Sequence, residues 1–163
     1  MSYNCVDQHV ENGNGNRAAL IYETGERDVT AVLTYRQLLD EVRQVAAMLR
    51  GQGVERGDRV TIYMPMCPGA VVAMLACTRI GAIHSAVFGG FGAGALADRI
   101  DLAEPELLLT ADVGYRKGDT ADLKSIVDRT FDEHDAVTDI VDTTVVLQRG
   151  DESPELDETR EIS

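Results

Sequence analysis

The sequence predicts an α/β fold built around a parallel sheet. Three observations carry this prediction: strand and helix patterns alternate along the chain, the strand patterns are near-continuous apolar runs, and glycine or proline separates the elements. Such alternation is typical of βαβ units, and strands that are apolar throughout belong to parallel sheets covered by helices on both faces. With 163 residues, 44% of them hydrophobic, the chain is long enough for a real core.

The first elements predicted are a hairpin and a helix. Two apolar runs, Ala18–Tyr22 and Val29–Leu33, flank a turn-rich segment and predict a small β-hairpin near the N-terminus. Thr34 and Gln37 have capping-box spacing, and the apolar residues that follow recur at helical intervals as far as Gly51. We therefore expect an amphipathic helix that begins after Thr34 and buries one face.

The following segments alternate between strand and helix patterns. We expect strands at 59–64, 83–88 and 107–110, helices at about 69–80, 95–102 and 121–133, and short strands at 140–141 and 144–147. Residues 112–120 are predicted to form a polar loop. From residue 149 the composition is acidic and poor in apolar residues, which predicts a domain over residues 1–148 followed by a disordered tail over 149–163.

Charge is the most unusual property of the composition. The chain has 15 Lys and Arg against 28 Asp and Glu, a net charge of −13, and residues 101–163 hold 18 of the acidic residues against 6 basic ones. A surface this negative repels phosphate backbones and argues against nucleic-acid binding. Only Lys117 and Lys124 are lysines, a composition that favours a halophilic origin. An acidic protein of a mesophile is the alternative.

Further features of the sequence concern its compartment. No apolar run approaches the roughly 18 residues that a membrane span requires, and the first thirty residues carry no secretory signal pattern. Cys5, Cys67 and Cys77 form no CxxC pair and indicate reduced thiols. We therefore expect a cytoplasmic protein with no membrane partner, no disulfide framework and no metal site.

Two short segments are candidates for ligand binding. The glycine cluster 89–94 lies between a predicted strand and a predicted helix, the place where α/β folds bind ligands. It is neither a Walker A loop nor a strict GxGxxG pattern, so a flexible turn is the alternative. Arg116 and Lys117 form the only basic pair of the acidic half and favour either a phosphate contact or a solvated turn.

Several longer segments follow one another in a familiar order. They are YNCVDQH at 3–9, LTYRQLLDEV at 33–42, GDRVTIYMPM at 57–66, AMLACTRIGA at 73–82, HSAVFGGF at 84–91, ALADRI at 95–100 and LTAD at 109–112. In this order the chain resembles AMP-forming acyl-CoA synthetases over residues 3–148, and within them the acetyl-CoA and propionyl-CoA synthetase branch. The resemblance implies part of the N-terminal domain of an adenylate-forming enzyme.

The resemblance also implies a reaction in two steps. A carboxylate attacks the α-phosphate of ATP to give an acyl-adenylate and pyrophosphate, and the thiol of coenzyme A (CoA) then displaces AMP; ATP, Mg²⁺ and CoA are the implied cofactors. Acetate is the expected acid, with propionate as the alternative. The family's YTSGSTGxPKG phosphate loop and its catalytic lysine are not in this sequence. We therefore expect an N-terminal fragment that is inactive alone and pairs with the missing remainder, or a truncated or split-gene product with weak CoA binding.

Four residues carry over from the family as CoA contacts. The glycine pair of the family's FGGF turn, which lies against the pantetheine arm, corresponds to Gly89 and Gly90. An RxGR pattern that grips the nucleotide phosphate of CoA places Arg116 at its first arginine. Asp119 stands at the second arginine, and Lys117 replaces it in part. The resemblance assigns neither a catalytic residue nor a metal ligand to this chain.

Overall fold

The computed structural model of the chain describes residues 1–24, 29–116 and 118–163. Two short π-helices, Tyr3–Asp7 and Val10–Asn14, precede the α-helices α1 (Tyr35–Gly51), α2 (Pro68–Ile80), α3 (Ala93–Ala103), α4 (Leu123–Glu133) and α5 (Asp135–Ile140). Its strands are β1 (Ala18–Thr24), β2 (Val29–Thr34), β3 (Arg59–Met64), β4 (Ile83–Phe88), β5 (Leu107–Ala111), β6 (Val113–Arg116), β7 (Asp119–Asp122), β8 (Thr143–Leu147) and β9 (Glu161–Ile162). These elements form two compact units, the first comprising 1–57 and 67–82, the second 58–66 and 83–163.

The first unit contains the predicted hairpin and amphipathic helix. Strands β1 and β2 pair in antiparallel register; the turn predicted at 25–28 lies outside the described residues. The predicted capping box begins α1: the Thr34 hydroxyl accepts a hydrogen bond from the Gln37 amide at 3.3 Å, and Gln37 Oε1 accepts one from the Thr34 amide at 2.9 Å. Leu38, Leu39, Val42, Ala46 and Leu49 form the buried stripe of α1.

Helix α2 completes the first unit and packs against α1. It begins at Pro68, where the missing amide proton costs no helical hydrogen bond. It ends at Gly81, which takes the left-handed conformation with φ +84°. Although α2 is apolar on most of its faces, no helix among the described residues is both long and apolar enough to cross a bilayer.

The second unit is built on a five-stranded parallel sheet in the order β4-β3-β5-β8-β9, which confirms the predicted fold class. The central strands β3 and β5 are buried along almost their whole length, as their apolar runs indicate. Helices α3, α4 and α5 lie over one sheet face. Their shared core is formed by residues including Tyr63, Leu96, Leu108, Leu123 and Phe131.

Two predictions about the second half of the chain were wrong. The supposed polar loop contains an antiparallel hairpin, β6–β7, because main-chain pairing from Val113 to Arg116 does not depend on an alternating apolar pattern. The supposed strand at Ile140–Val141 lies at the end of α5, where Val137 and Val141 turn towards the core. An apolar pair of this length cannot distinguish the end of a helix from a strand.

The acidic segment 149–163, which its composition predicts to be a disordered tail, contains the short strand β9. Strand β9 pairs in parallel with β8, and the Glu161 carboxylate lies 3.0 Å from Lys124 Nζ on α4. The Arg160 guanidinium lies over the Phe131 ring, 4.4 Å from its centroid. Charge pairing and an aromatic contact thus hold a segment that has few apolar residues. The division into a domain of residues 1–148 and a tail stays a prediction.

Candidate functional site

The predicted glycine pair lies in a tight turn at the carboxyl end of β4. The Phe91 amide donates a hydrogen bond to the Phe88 carbonyl at 3.0 Å, which closes the turn over Gly89 and Gly90. Gly92 follows as the N-cap of α3. The carboxyl ends of parallel strands are where open α/β sheets bind their ligands, so the turn stands where the sequence analysis expected a site.

Gly89 lies against the end of the neighbouring strand β3. A Cβ atom added at Gly89 would lie 3.1 Å from the Met64 carbonyl oxygen and 3.2 Å from the Pro65 nitrogen. These are backbone atoms that cannot rotate away. A residue with a side chain would therefore have to shift the backbone by a few tenths of an ångström, so packing favours glycine here.

Gly90 lies directly beside an aromatic ring and a guanidinium. A Cβ atom added there would lie 2.5 Å from Phe88 Cε1 and 3.0 Å from Arg116 Nη1. The Arg116 guanidinium carbon is 5.1 Å from the centroid of the Phe88 ring, a cation–π distance, and Phe88 is 52% exposed. The turn therefore presents a bare backbone, a flat apolar face and a permanent positive charge within one small area.

The β6–β7 hairpin brings Arg116 to this turn. Arg116 is the last residue of β6, Gly118 at the tip has φ +81°, and Asp119 begins β7 directly opposite Arg116 in the register. The structure thus brings together three of the four predicted CoA contacts, Gly89, Gly90 and Arg116. The fourth, Lys117, lies outside the described residues.

Asp112 anchors the base of this hairpin. Its Oδ1 accepts hydrogen bonds from the amides of Val113 at 2.6 Å and Arg149 at 2.7 Å, and its Oδ2 accepts one from the Gly150 amide at 2.9 Å. The start of β6 is thereby fixed to the chain that leaves β8. Asp112 served in the sequence analysis only as a landmark of the family pattern, and nothing in its local spacing indicates this role.

Tyr63 anchors the glycine turn from below. It is fully buried, and its hydroxyl donates a 2.6 Å hydrogen bond to the Phe91 carbonyl. Burial raises the pKa of Tyr63, against a smaller opposing effect of the Arg129 charge, so the hydroxyl keeps its proton. Sequence reasoning assigned Tyr63 and Phe88 to apolar strands and gave them no part in the site. Phe88 directly precedes Gly89 at the end of β4, which is the available signal; Tyr63 has no such neighbour.

The arrangement can hold an anion beside a flat group. An arginine stays charged at all relevant pH values and can form paired hydrogen bonds with a phosphate or carboxylate. The bare backbone of Gly90 lets a ligand approach without meeting a side chain. In the described ranges no three His, Cys, Asp or Glu side chains come close enough together to hold a metal ion. The chemistry that the described residues support is binding and orientation.

Comparisons with solved structures find the same fold in a CoA ligase. The chain superimposes on the acetoacetyl-CoA synthetase from Streptomyces lividans with a TM-score of 0.82 and 28% sequence identity. The match covers 98% of this chain and 24% of that one.

Sequence comparisons find acetyl-coenzyme A synthetases. The chain is 48% identical to that of Streptomyces coelicolor over 161 residues, which are 99% of this chain and 24% of the other. It is 50% identical to that of Laribacter hongkongensis, over 91% of this chain and 22% of the other, and 48% identical to that of Halorhodospira halophila, over 81% and 20%.

These matches confirm the resemblance that the sequence motifs indicated. The chain spans about a quarter of the length of the curated relatives that it matches most fully. The model of a family described as AMP-binding enzyme matches residues 6–162, almost the whole chain. The chain therefore belongs to the AMP-binding enzyme family.

Proposed function

We propose that this chain is the CoA-contacting part of an AMP-forming acid–CoA ligase, and that Gly89, Gly90, Arg116 and Lys117 contact CoA. The observation that carries the proposal is the close approach of Arg116 and Phe88 to Gly90 at the carboxyl end of β4. Acetate is the acid substrate, with propionate as the alternative, because the relatives with about half of their residues identical are acetyl-coenzyme A synthetases.

The proposed division of labour follows from the chemistry of these residues. Arg116 offers its guanidinium to a phosphate of CoA, and Gly89 and Gly90 let the narrow pantetheine arm pass along the backbone. Phe88 supplies an apolar surface next to the arginine. ATP and Mg²⁺ provide the activation of the acid in the whole protein, and the described residues take part in binding CoA, not in that activation.

Asp119 limits the affinity of this site. It pairs with Arg116 across the hairpin, so its carboxylate stands on the same small loop as the phosphate-binding group. A carboxylate so near weakens the attraction for a phosphate at low ionic strength. Replacement of Asp119 by arginine should therefore tighten CoA binding, by about tenfold if one charge-assisted hydrogen bond is gained.

Calorimetric titration with CoA and with dephospho-CoA tests the proposal. The chain should bind CoA, and Arg116→Gln should weaken that binding about tenfold, because a charge-assisted hydrogen bond contributes about 1.5–3 kcal/mol. Arg99→Gln is the matched control, since Arg99 is exposed on α3 and its loss changes the net charge equally. Equal weakening by both variants, or no binding of CoA, would refute the site. Equal affinity for both ligands would show that the 3′-phosphate is not read.

A turnover assay tests the proposed dependence on a longer protein. The chain is mixed with acetate, ATP, CoA and Mg²⁺, and pyrophosphate is followed. We expect no release, because the family's phosphate loop is not in the sequence. Steady release would show that the described residues catalyse the first half-reaction by themselves, and the proposal of a binding role would then fail.

A further inference from the structure

A polar cleft lies within the first unit, and none of the four proposed CoA contacts lines it. It has a volume of about 480 Å³ and is lined by residues 1–3 and by side chains of α1 and α2. Its lining residues include Tyr3, Arg43, Arg50, Thr78 and Arg79. Three arginines on one cleft are notable in a chain whose net charge is −13.

The arginines come from two helices and stand along the cleft. Arg43 and Arg50 are seven residues apart on α1, so they share one face and lie about 10 Å apart along the helix axis. Arg79 comes from the last turn of α2. Positive groups spread over this length suit a ligand with more than one negative group.

One buried carboxylate orders two of these arginines. Arg79 donates through Nη1 and Nη2 to the two carboxylate oxygens of Asp7, at 2.8 and 2.6 Å, and Arg43 Nη2 lies 3.8 Å from the same carboxylate. The hydrogen bond from Arg79 lowers the pKa of Asp7, with a smaller contribution from the charge of Arg43 and against the effect of burial. Asp7 is therefore ionised at neutral pH and cancels one of the three positive charges.

Arg50 and most of the Arg43 side chain stand apart from this carboxylate. Within the part of the chain that the structure describes, no carboxylate lies within 4.0 Å of Arg50. The Arg43 side chain is 57% exposed, and that of Arg79 keeps 24% of its surface in solvent despite its bonds to Asp7. The three arginines and Asp7 together carry a net charge of +2, and the Arg43 guanidinium faces the solvent.

We propose that this cleft binds a small multivalent anion, a ligand with at least two phosphate or carboxylate groups. The length of the arginine row suits two anionic groups, and the volume suits a small molecule. The affinity falls steeply with ionic strength, as expected for an exposed site.

Titrations of the whole chain at one matched ionic strength test this proposal. Pyrophosphate and citrate are the probes, and acetate is the monovalent control. We expect both probes to bind and to shift the amide resonances of residues 43–50 and 78–80, and acetate to shift neither. Binding of pyrophosphate but not of citrate would show that the cleft prefers phosphate groups to carboxylate groups. If acetate acts as well as the probes, or if neither probe binds, the proposal is wrong.

Variants separate a site from a general charge effect. Arg50→Gln should weaken pyrophosphate binding about tenfold, the loss expected for one charge-assisted contact, whereas Arg17→Gln outside the cleft should leave it unchanged. If Arg50→Gln does not fold, Arg50→Lys replaces it in the test. This variant keeps the charge, and its affinity for pyrophosphate should lie between that of the unchanged protein and no binding. Arg116→Gln should not alter the binding, which keeps this test apart from that of the CoA site. Equal losses in Arg17→Gln and Arg50→Gln would overturn the proposal.

Discussion

The two compact units differ in how they balance charge. The first, residues 1–57 and 67–82, has seven basic and eight acidic side chains, a net charge of −1. The second, residues 58–66 and 83–163, has eight basic and twenty acidic side chains, a net charge of −12. In the first unit a single carboxylate, Asp7, meets two arginines. In the second, a single cation, Lys124, meets two carboxylates.

This difference teaches where each unit is vulnerable. When carboxylates outnumber cations, the loss of one cation leaves a buried negative charge with few replacements nearby, and repulsion in the unit increases. When the charges nearly balance, neighbouring groups of the opposite sign reduce the loss of stability that follows from removing one charged group. We therefore expect the second unit to respond more strongly to charge removal and to salt than the first.

The largest effect is expected from Lys124→Met. Lys124 Nζ contacts Asp128 and Glu161, and the Glu161 side chain is fully buried. Burial opposes the charge of Lys124, but the hydrogen bonds to both carboxylates outweigh it and raise the pKa of Lys124. Removal of the cation should lower the free energy of unfolding by about 3–5 kcal/mol, as measured by urea denaturation.

A double variant provides the control for Lys124. Lys124→Met combined with Glu161→Leu removes both buried charges and should regain much of the lost stability, because no unpaired charge remains. A loss below about 1 kcal/mol in the single variant would mean that water reaches Glu161 and that the pair is equivalent to a surface salt bridge.

Asp7→Asn should have a smaller effect, confined to the first unit. The paired hydrogen bonds from Arg79 lower the pKa of Asp7 below its usual value of 3.8, so the ionised carboxylate stabilises the folded state. That stability is fully present above pH 3.8 and is lost as the pH falls through the lower folded-state pKa. We expect a deficit of about 2 kcal/mol at pH 6 that shrinks towards zero in acid.

The exposed Asp40 on α1 provides the matched control for Asp7. Asp40→Asn makes the same chemical change on the surface of the same unit and should cost less than about 0.5 kcal/mol. Thermal melts of both variants between pH 2 and pH 6 make the comparison. A deficit of Asp7→Asn that stays constant as the pH falls would contradict the ionic origin of the effect.

Salt should affect the two units unequally. Screening of twenty carboxylates should raise the melting temperature by several degrees between about 0.1 and 2 M KCl, because the Debye length falls to about 3 Å at 1 M. Hydrogen exchange should show the larger gain in β5 of the second unit and the smaller gain in α1. Sucrose, which favours compact states without screening charge, is the control. A melting temperature flat in KCl would remove the halophilic interpretation.

The smallest effect is expected from a glycine in the second unit. Gly94 lies in the first turn of α3, and a Cβ atom there would meet nothing within 4 Å. Gly94→Ala should therefore stabilise the fold by about 1 kcal/mol. Gly118 has equally open surroundings but φ +81°, so Gly118→Ala should destabilise it by a similar amount. Thermal melts that show the same sign for both variants would contradict this explanation.

Much of the fold was predictable because its apolar pattern is strong. β3 and β4 have the bounds that the sequence predicts, and the capping box at Thr34 places the start of α1 correctly. The β6–β7 hairpin was not predictable, because its stability depends on Asp112 and on backbone groups of Arg149 and Gly150 that are distant in sequence. Nothing in local composition shows such a contact.

The same distinction applies to the candidate site and to the acidic tail. Gly89 and Gly90 stand out in the sequence because glycines between a strand and a helix mark a ligand-binding turn. Tyr63 does not, because its role depends on which strand end lies beside the turn. The contacts of residues 149–163 involve Lys124, Asp112 and Phe131, which lie 29 to 37 positions before their partners. The composition of a segment gives no information on such distant partners.

Strand β4 gives the charge of the second unit a further consequence. Within the described residues it pairs on one side only, with β3, and its six residues include no Asp, Glu, Lys or Arg. Ile83 and Phe88 on this strand are 57% and 52% exposed. An uncharged, half-apolar open edge is a template on which another strand can add. The net charge of −12 keeps such molecules apart in dilute buffer, whereas concentrated salt removes that repulsion while it strengthens the fold. Colloidal solubility and thermal stability should therefore peak at different salt concentrations.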